Sequence, residues 1–412
     1  MAIGTIEIIF YIYIFISLYM LSLMTIIYFQ GRKELFSYPQ GRAEPVSIVV
    51  PCYNEGESIG KSIEALLSLD WPKEMLEIIV VDDKSTDNSA EIVRKYVKKY
   101  RNVTLIVNKR NSGGAAEPTN IGVKAAKYNY IAVADADSTP ERDALIKMIG
   151  FLQENEKVGG VTCVVAGKHR NLFIEKLQAI EYAVIAFSRK LLDRIDSVYV
   201  TPGPFALYRK KVLLEVGLFD TKSMTQDIEI VWKMLKHGYL ARMCLATKVH
   251  SATPTTLKGW FKQRIRWNIG GMQTISKYRG FFLKKGMLGA FVLPYFVLSW
   301  ILGIVGIGLF TYIFTKRVLI TYLSSKLSLY AGTDVIRFSE ISLNPTILNF
   351  FGVAVFFLGA LFSFIALGVV QERALRNKNP WASFVYLTLY LTFYPLVLIT
   401  SFYKFFRGKY SW

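Results

Sequence analysis

The chain has 412 residues, 52% of them hydrophobic, and a formal net charge of +19. That length admits one catalytic domain plus several membrane spans. Three scattered cysteines (Cys52, Cys163 and Cys244) exclude a disulfide framework or a zinc site and fit a reducing compartment.

Residues 3–29 form an apolar run broken only by Glu7 and a few hydroxyl and amide groups. About 20 apolar residues span a bilayer. A cleaved signal peptide would carry its positive charge first and have a shorter apolar core. Here Arg32 and Lys33 come after the run. Residues 1–30 are therefore expected to be a retained transmembrane helix.

Residues 31–255 have globular character. PVSIVVP at 45–51 is a short β-branched strand. Residues 58–69 are helical, with Ile59, Ile63, Leu66 and Leu67 on one face. EIIVV at 77–81 is a second strand, and 86–100 a helix presenting Ile92, Val93, Tyr96 and Val97. A third strand spans 103–107, a helix 121–127, and a fourth strand, YIAVA, 130–134. This alternation predicts an α/β domain with a mostly parallel, Rossmann-like sheet between helices. Continuously apolar strands agree with burial on both faces.

In such a sheet, ligands bind outside the carboxyl ends of the strands. The four strands are followed by Cys52-Tyr53-Asn54-Glu55, Asp82-Asp83-Lys84-Ser85, Asn108-Lys109-Arg110-Asn111 and Asp135-Ala136-Asp137. Any one of these reads equally as a loop or a cap. Four on one edge predict a binding site.

Two carboxylates spaced as Asp135 and Asp137 can share one divalent cation. Mg²⁺ takes oxygen ligands and commonly bridges to substrate phosphates, where it neutralises a leaving diphosphate. An Asx turn before Thr139-Pro140 would leave the same pattern. Thr225-Gln226-Asp227 opens a helix with Ile228, Val231, Trp232 and Leu235 on its apolar face and Gly238 at its end. Asp227 reads equally as a first-turn acid behind a Thr225 cap and as a general base for an acceptor hydroxyl.

Residues 256–286 carry a basic, aromatic helix. Gln263, Arg266 and Trp267 stand at i, i+3 and i+4 and share a face, which Trp260 extends. An Arg can grip a diphosphate bidentately, and a Trp can stack on a sugar. The same helix also reads as an interfacial one with Trp at headgroup level, and the two readings are compatible. No Asp or Glu occurs from Ile230 to Thr333, while basic residues gather between Lys258 and Lys285. Such a cluster beside a span marks the cytoplasmic side and attracts membrane lipids, and it argues against nucleic acid as the partner.

Three further apolar runs, 287–314, 348–370 and 381–403, make 287–412 a C-terminal transmembrane part. The expectation is a multi-pass plasma-membrane protein with its globular domain in the cytoplasm. Four spans would leave Lys404, Arg407 and Lys409 outside, against the positive-inside tendency. The 316–347 loop, with its apolar patch at 318–323, is where a further span would fall.

Taken together, PCYNEGESI, IVVDDKSTDNS, ADADS, TPGPFALYRK, TQDIE and QRIRW occur in one order across about residues 45–275. In this the sequence resembles the processive branch of the family 2 inverting glycosyltransferases, the synthases of cellulose, chitin, hyaluronan and poly-N-acetylglucosamine. QRIRW downstream of three acidic motifs is more specific than any element alone. The resemblance implies a GT-A type domain, a UDP-sugar donor and Mg²⁺ or Mn²⁺. Pro51, Tyr53 and Glu55 would line the nucleotide pocket. Asp83, with Asp82 as the alternative, would contact the uridine. Asp135 would approach the donor and Asp137 would ligate the metal. Asp227 would be the base, and Gln263, Arg266 and Trp267 would clamp the diphosphate and shape the acceptor end. Gly203-Pro204 and Tyr208-Arg209 resemble the segment that holds the terminal acceptor sugar.

Two positions depart from the pattern. Gln226 stands where the family usually has Glu, and Ser112-Gly113-Gly114-Ala115 lacks the family's lysine. The implied mechanism is a single displacement in which an α-linked donor gives a β-linked product. The acceptor is a growing polysaccharide or, as in the glucosylceramide synthases, a membrane lipid taking one sugar. A transporter or adaptor that only binds nucleotide is disfavoured, because the spans contain almost no charge. A homo-oligomer is compatible with the sequence.

Overall fold

The computed structural model describes residues 5–168, 171–332, 347–370 and 380–408. In chain order the strands are β1 Val46–Cys52, β2 Leu76–Asp82, β3 Val103–Val107, β4 Tyr130–Val133, β5 Thr139–Pro140, β6 Val158–Gly167, β7 Ala206–Arg209 and β8 Leu240–Ser251. The helices are α1 Thr5–Gly31, α2 Ile59–Leu67, α3 Ser89–Lys99, α4 Ala116–Ala125, α5 Ala144–Glu154, α6 Phe173–Asp193 and α7 Lys210–Glu215. They continue with α8 Gln226–Lys236, α9 Leu257–Lys277, α10 Leu293–Tyr330, α11 Ile347–Val370, α12 Pro380–Val385 and α13 Leu391–Arg407.

One sheet runs β3-β2-β1-β4-β7-β6-β8-β5. β1, β2, β3 and β4 are mutually parallel, while β7 lies antiparallel between β4 and β6. The chain moves outward from β1 through β2 to β3, then returns to place β4 on the other side of β1. The crevice between the ends of β1 and β4 is therefore a topological switch point, where ligands bind in sheets of this kind. Every residue of β1 and β2 is buried, as expected of apolar strands covered on both faces.

Helix α4 starts five residues earlier than the apolar spacing indicates. Pro118 falls in its first turn, where no N–H is required of it. The second half of the sheet, β6 to β8, was not anticipated from the sequence.

Two hydrophobic clusters cover the faces of the sheet. One packs α2 and α5 beneath it. The other runs from Val49 and Ile79 through α6, α8 and α9 into the apolar helices, reaching Ile27, Val292, Ala366 and Val397. The sheet half and the apolar half thus share one core.

Among the described residues two helices are long and apolar enough to cross a membrane, Tyr11–Glu34 and Leu288–Gly308. A pair bent by 46°, Trp381–Thr388 and Phe393–Arg407, forms a third span if its halves are counted together. Phe357–Val370 is a shorter apolar helix. The loop expected from residue 316 is corrected: α10 continues unbroken to Tyr330. Nothing between Leu293 and Tyr330 breaks it, since the only proline is in its first turn.

Candidate active site

The ends of β1, β2 and β4, the start of α8 and one face of α9 enclose a cavity of about 1280 Å³. Pro51, Tyr53, Glu55, Asp83, Asp135, Asp137, Gly203, Pro204, Asp227, Gln263, Arg266 and Trp267 all line it. Asp82 does not. It is buried in β2, where its Oδ2 accepts from the Ser85 amide at 3.2 Å and its Oδ1 has no hydrogen-bond partner. Of the two adjacent acids, only Asp83 faces the cavity, because successive residues leaving a strand point to opposite sides.

Asp83 is bound by the loop that follows β3. Its Oδ1 accepts from Asn108 Nδ2 at 2.6 Å. Its Oδ2 accepts from the Ser112 amide at 2.8 Å and from Ser112 Oγ at 2.7 Å. These bonds hold Gly113 and Gly114 against the cavity. Gly113 has φ +78°, a conformation glycine adopts freely.

Asp135 and Asp137 leave β4 into the switch-point crevice. Asp137 Oδ1 accepts from Ser138 Oγ at 3.0 Å and from Ser251 Oγ at 3.5 Å. The Asp135 carboxylate rests on Gly203, where an added Cβ would stand 3.0 Å from Oδ1. Burial first, then the charges of Asp137 and Asp227, push the Asp135 carboxyl up to about 7. The charge of Arg266 offsets part of this rise. Among the described residues no group of three or more His, Cys, Asp or Glu forms a ready cage. Mg²⁺ needs only one or two carboxylates when waters and substrate phosphates supply the rest, so Asp135 and Asp137 fit such an ion.

Asp227 lies in the first turn of α8. Burial raises its carboxyl above the ordinary value of 3.8, opposed by backbone hydrogen bonds and by the charges of Arg266 and Arg189. Thr225 occupies the cap position but makes no capping hydrogen bond, and its Oγ1 is buried without a partner. Instead it packs on Gly270 of α9, where an added Cβ would collide with Thr225 Oγ1 at 2.0 Å. Thr225 therefore does not cap the helix, while the Asp227 carboxylate still meets backbone amides of the first turn. Gln226 is buried, lines the cavity, and has an Oε1 without a partner.

On α9, Gln263, Arg266 and Trp267 face the cavity together, as their spacing predicts. Arg264 turns the other way. It is fully buried, pairs with Glu181 of α6 and lies 4.1 Å from the centre of the Trp267 ring.

Sequence reasoning missed the contribution of α6. Tyr182, Ile185, Ala186 and Arg189 line the cavity, and their i, i+3, i+4, i+7 spacing is the signal that would have found them. It also missed the far wall, which includes Tyr13 of α1, Tyr295 and Trp300 of α10, and Tyr394 of α13. The cavity thus connects the strand ends to the apolar helices.

Residues 47–217 match the family model described as Glycosyl transferase family 2. A poly-β-1,6-N-acetyl-D-glucosamine synthase of Staphylococcus epidermidis is 31% identical over 268 residues, 64% of each chain. The enzyme of the same name from Staphylococcus aureus strain COL is 32% identical over 235 residues, 57% of this chain and 56% of that one. The matches span less than two thirds of these relatives' own length. Among solved structures, a mannosyltransferase from Pyrobaculum calidifontis in complex with GDP-Man and Mn²⁺ superposes with a TM-score of 0.55 at 17% identity. That match covers 98% of this chain and 100% of that one. It extends the likeness in fold through the apolar helices.

Proposed function

We propose that this chain, whose residues 47–217 match the family 2 glycosyltransferase model, transfers a sugar from a UDP-sugar to a growing polysaccharide at the cytoplasmic face of the plasma membrane. The observation that carries this is the single cavity holding the acids Asp135, Asp137 and Asp227 with Gln263, Arg266 and Trp267.

In this reading Pro51, Tyr53, Glu55 and Asp83 surround the nucleotide, and the loop tied to Asp83 closes over it. Asp227 takes the proton from an acceptor hydroxyl held near Gly203, Pro204 and Trp267. That oxygen attacks the anomeric carbon from the face opposite the diphosphate, so an α-linked donor gives a β-linked product. Arg266 and Gln263 hold the leaving diphosphate, a preorganised positive site where charge develops. Asp137 with Asp135 would hold Mg²⁺ or Mn²⁺, which would neutralise charge on the diphosphate.

The raised Asp227 carboxyl suits a base, because desolvation strengthens its hold on the proton it accepts. Gln226 leaves one fewer carboxylate beside that base than the resembling synthases carry. UDP-N-acetylglucosamine is the first donor to test, since the relatives at 31–32% identity are named as poly-N-acetylglucosamine synthases.

A second reading, transfer of one sugar to a membrane lipid, draws support from the apolar helices that form the far wall of the cavity. The test is to incubate the purified protein with UDP-sugars, measure UDP release and size the product. Long products support polymer synthesis. Single additions overturn processivity, and no UDP release from any UDP-sugar overturns the donor assignment.

A further inference from the structure

At the start of α8 the cavity wall holds a carboxamide whose oxygen the fold leaves uncommitted. Gln226 is 8% exposed and lines the cavity, and its Oε1 is enclosed without a hydrogen-bond partner. Asn111, Gln263 and Asn268, which also line the cavity, are engaged. Asn111 Nδ2 donates to the Asp83 carbonyl at 3.1 Å, and its Oδ1 accepts from the Gly113 amide at 2.8 Å. Gln263 Oε1 accepts from Arg264 Nη1 at 2.5 Å, and Asn268 Nδ2 donates to the Arg264 carbonyl at 3.0 Å.

An enclosed oxygen without a donor is destabilising, and an apolar side chain of similar volume would not be. A ligand that brings an N–H or an O–H supplies the missing donor. Thr225 Oγ1, one residue earlier on the same wall, is likewise enclosed without a partner.

The position of Gln226 puts it with the acceptor. It precedes Asp227 in the first turn of α8. The Asp227 carbonyl accepts from the Thr201 amide at 3.2 Å. That bond ties this turn to Pro202, Gly203 and Pro204 on the cavity wall. The nucleotide end is built instead from Asp83 and the loop bound to it.

The type of group narrows what it reads. Asp135, Asp137 and Asp227 accept hydrogen bonds and, when ionised, donate none. Sugar hydroxyls are already served by them. A carboxamide differs in presenting an acceptor and a donor side by side. Its complement is a group with the same pair reversed, and on a sugar that is an acetamido substituent. An ionised carboxylate at 226 would repel the acetamido carbonyl and favour an ammonium.

We propose that Gln226 is a specificity-determining residue that reads an acetamido group on the terminal sugar of the acceptor. Gln226 Oε1 accepts from the acetamido N–H, and Gln226 Nε2 donates to the acetamido carbonyl. This rests on the sugar-transfer reading above and names the feature of the acceptor that the same site selects.

The test uses the full chain in nanodiscs with UDP-N-acetylglucosamine, or whichever UDP-sugar supports UDP release. Short acceptor oligosaccharides are compared that differ only at C2 of the terminal sugar, which carries an acetamido group, a hydroxyl or a free amine. The acetamido acceptor is expected to exceed the hydroxyl one in kcat/KM by roughly 10- to 100-fold, the worth of two net hydrogen bonds. Gln226→Met, similar in volume and without either bond, should bring that ratio close to one. Gln226→Glu should lower it too, and should raise use of the amine acceptor relative to the acetamido one.

UDP affinity, measured separately, checks that each variant is folded. If Gln226→Met fails that check, Gln226→Asn, which keeps the amide one methylene shorter, should still show a reduced ratio. Equal use of the acetamido and hydroxyl acceptors by the unaltered chain overturns the proposal. So does a folded variant that keeps the full ratio. UDP-glucose and UDP-N-acetylglucosamine are compared in parallel with one acceptor. A variant that changes preference between these donors and not between acceptors assigns Gln226 to the donor sugar and overturns the acceptor assignment. All these outcomes leave sugar transfer intact. Absence of UDP release with every donor and acceptor would instead sink the sugar-transfer reading itself.

Discussion

Glu181 and Arg264 lie 83 residues apart and are locked together: Arg264 Nε donates to Glu181 Oε1 at 2.9 Å, and Arg264 Nη2 donates to Oε2. The pair joins α6 to α9 behind the cavity. With the Arg264 guanidinium under the Trp267 ring, it fixes the rotation of α9 that turns Gln263, Arg266 and Trp267 toward the ligand.

Removing one partner leaves the other charge buried. Glu181→Ala is expected to destabilise the protein by about 3–5 kcal/mol, measured by denaturant unfolding. The double change of Glu181 and Arg264 to leucine should cost much less than the sum of the two single changes. Additive costs would mean the pair is not coupled.

Asp227→Asn should lower kcat by roughly 100- to 10,000-fold, the range for a positioned base, with UDP affinity retained. Isothermal titration of UDP alongside product formation separates the two effects. Full transfer by the variant would remove Asp227 from its proposed role.

The raised carboxyl of Asp227 also sets a pH dependence. The folded value lies above 3.8, so the folded chain binds this proton more tightly than the unfolded chain. Stability contributed by the protonated group is therefore complete at low pH and is lost as pH climbs from 3.8 through the folded value. Activity follows the opposite slope, since the base acts only when deprotonated. Comparing melting curves of the unaltered protein and Asp227→Asn across pH 3–8 isolates the term. Parallel curves would show that burial does not perturb this group.

Chelation of divalent ions should abolish UDP release, and Mg²⁺ or Mn²⁺ should restore it. Asp137→Asn should raise the concentration of Mn²⁺ needed for half-maximal activity. UDP release that survives chelation would exclude the cation from the reaction.

Gly203→Ala places a methyl group 3.0 Å from Asp135 Oδ1 and 3.1 Å from Oδ2. Displacing that carboxylate should cost about 10- to 100-fold in kcat/KM, as for a small misplacement of a reacting group. Folding should persist, because the φ of Gly203 lies outside the range that disfavours side chains. Unaltered kinetics would show that Asp135 has room to move.

What the sequence determined by itself was local. Continuous apolar runs marked the first four strands and period-3.6 patterns the helices between them, because a strand covered on both faces buries every residue while a helix buries one stripe. The same geometry set Gln263, Arg266 and Trp267 on one face and polar clusters at four strand ends. Tertiary structure alone decided which of two neighbouring arginines would meet ligand and which would be sealed against Glu181. It also decided that Asp83, not Asp82, faces the cavity with its carboxylate bound by Ser112. Those outcomes depend on contacts between segments tens of residues apart in sequence, and no local period carries that information.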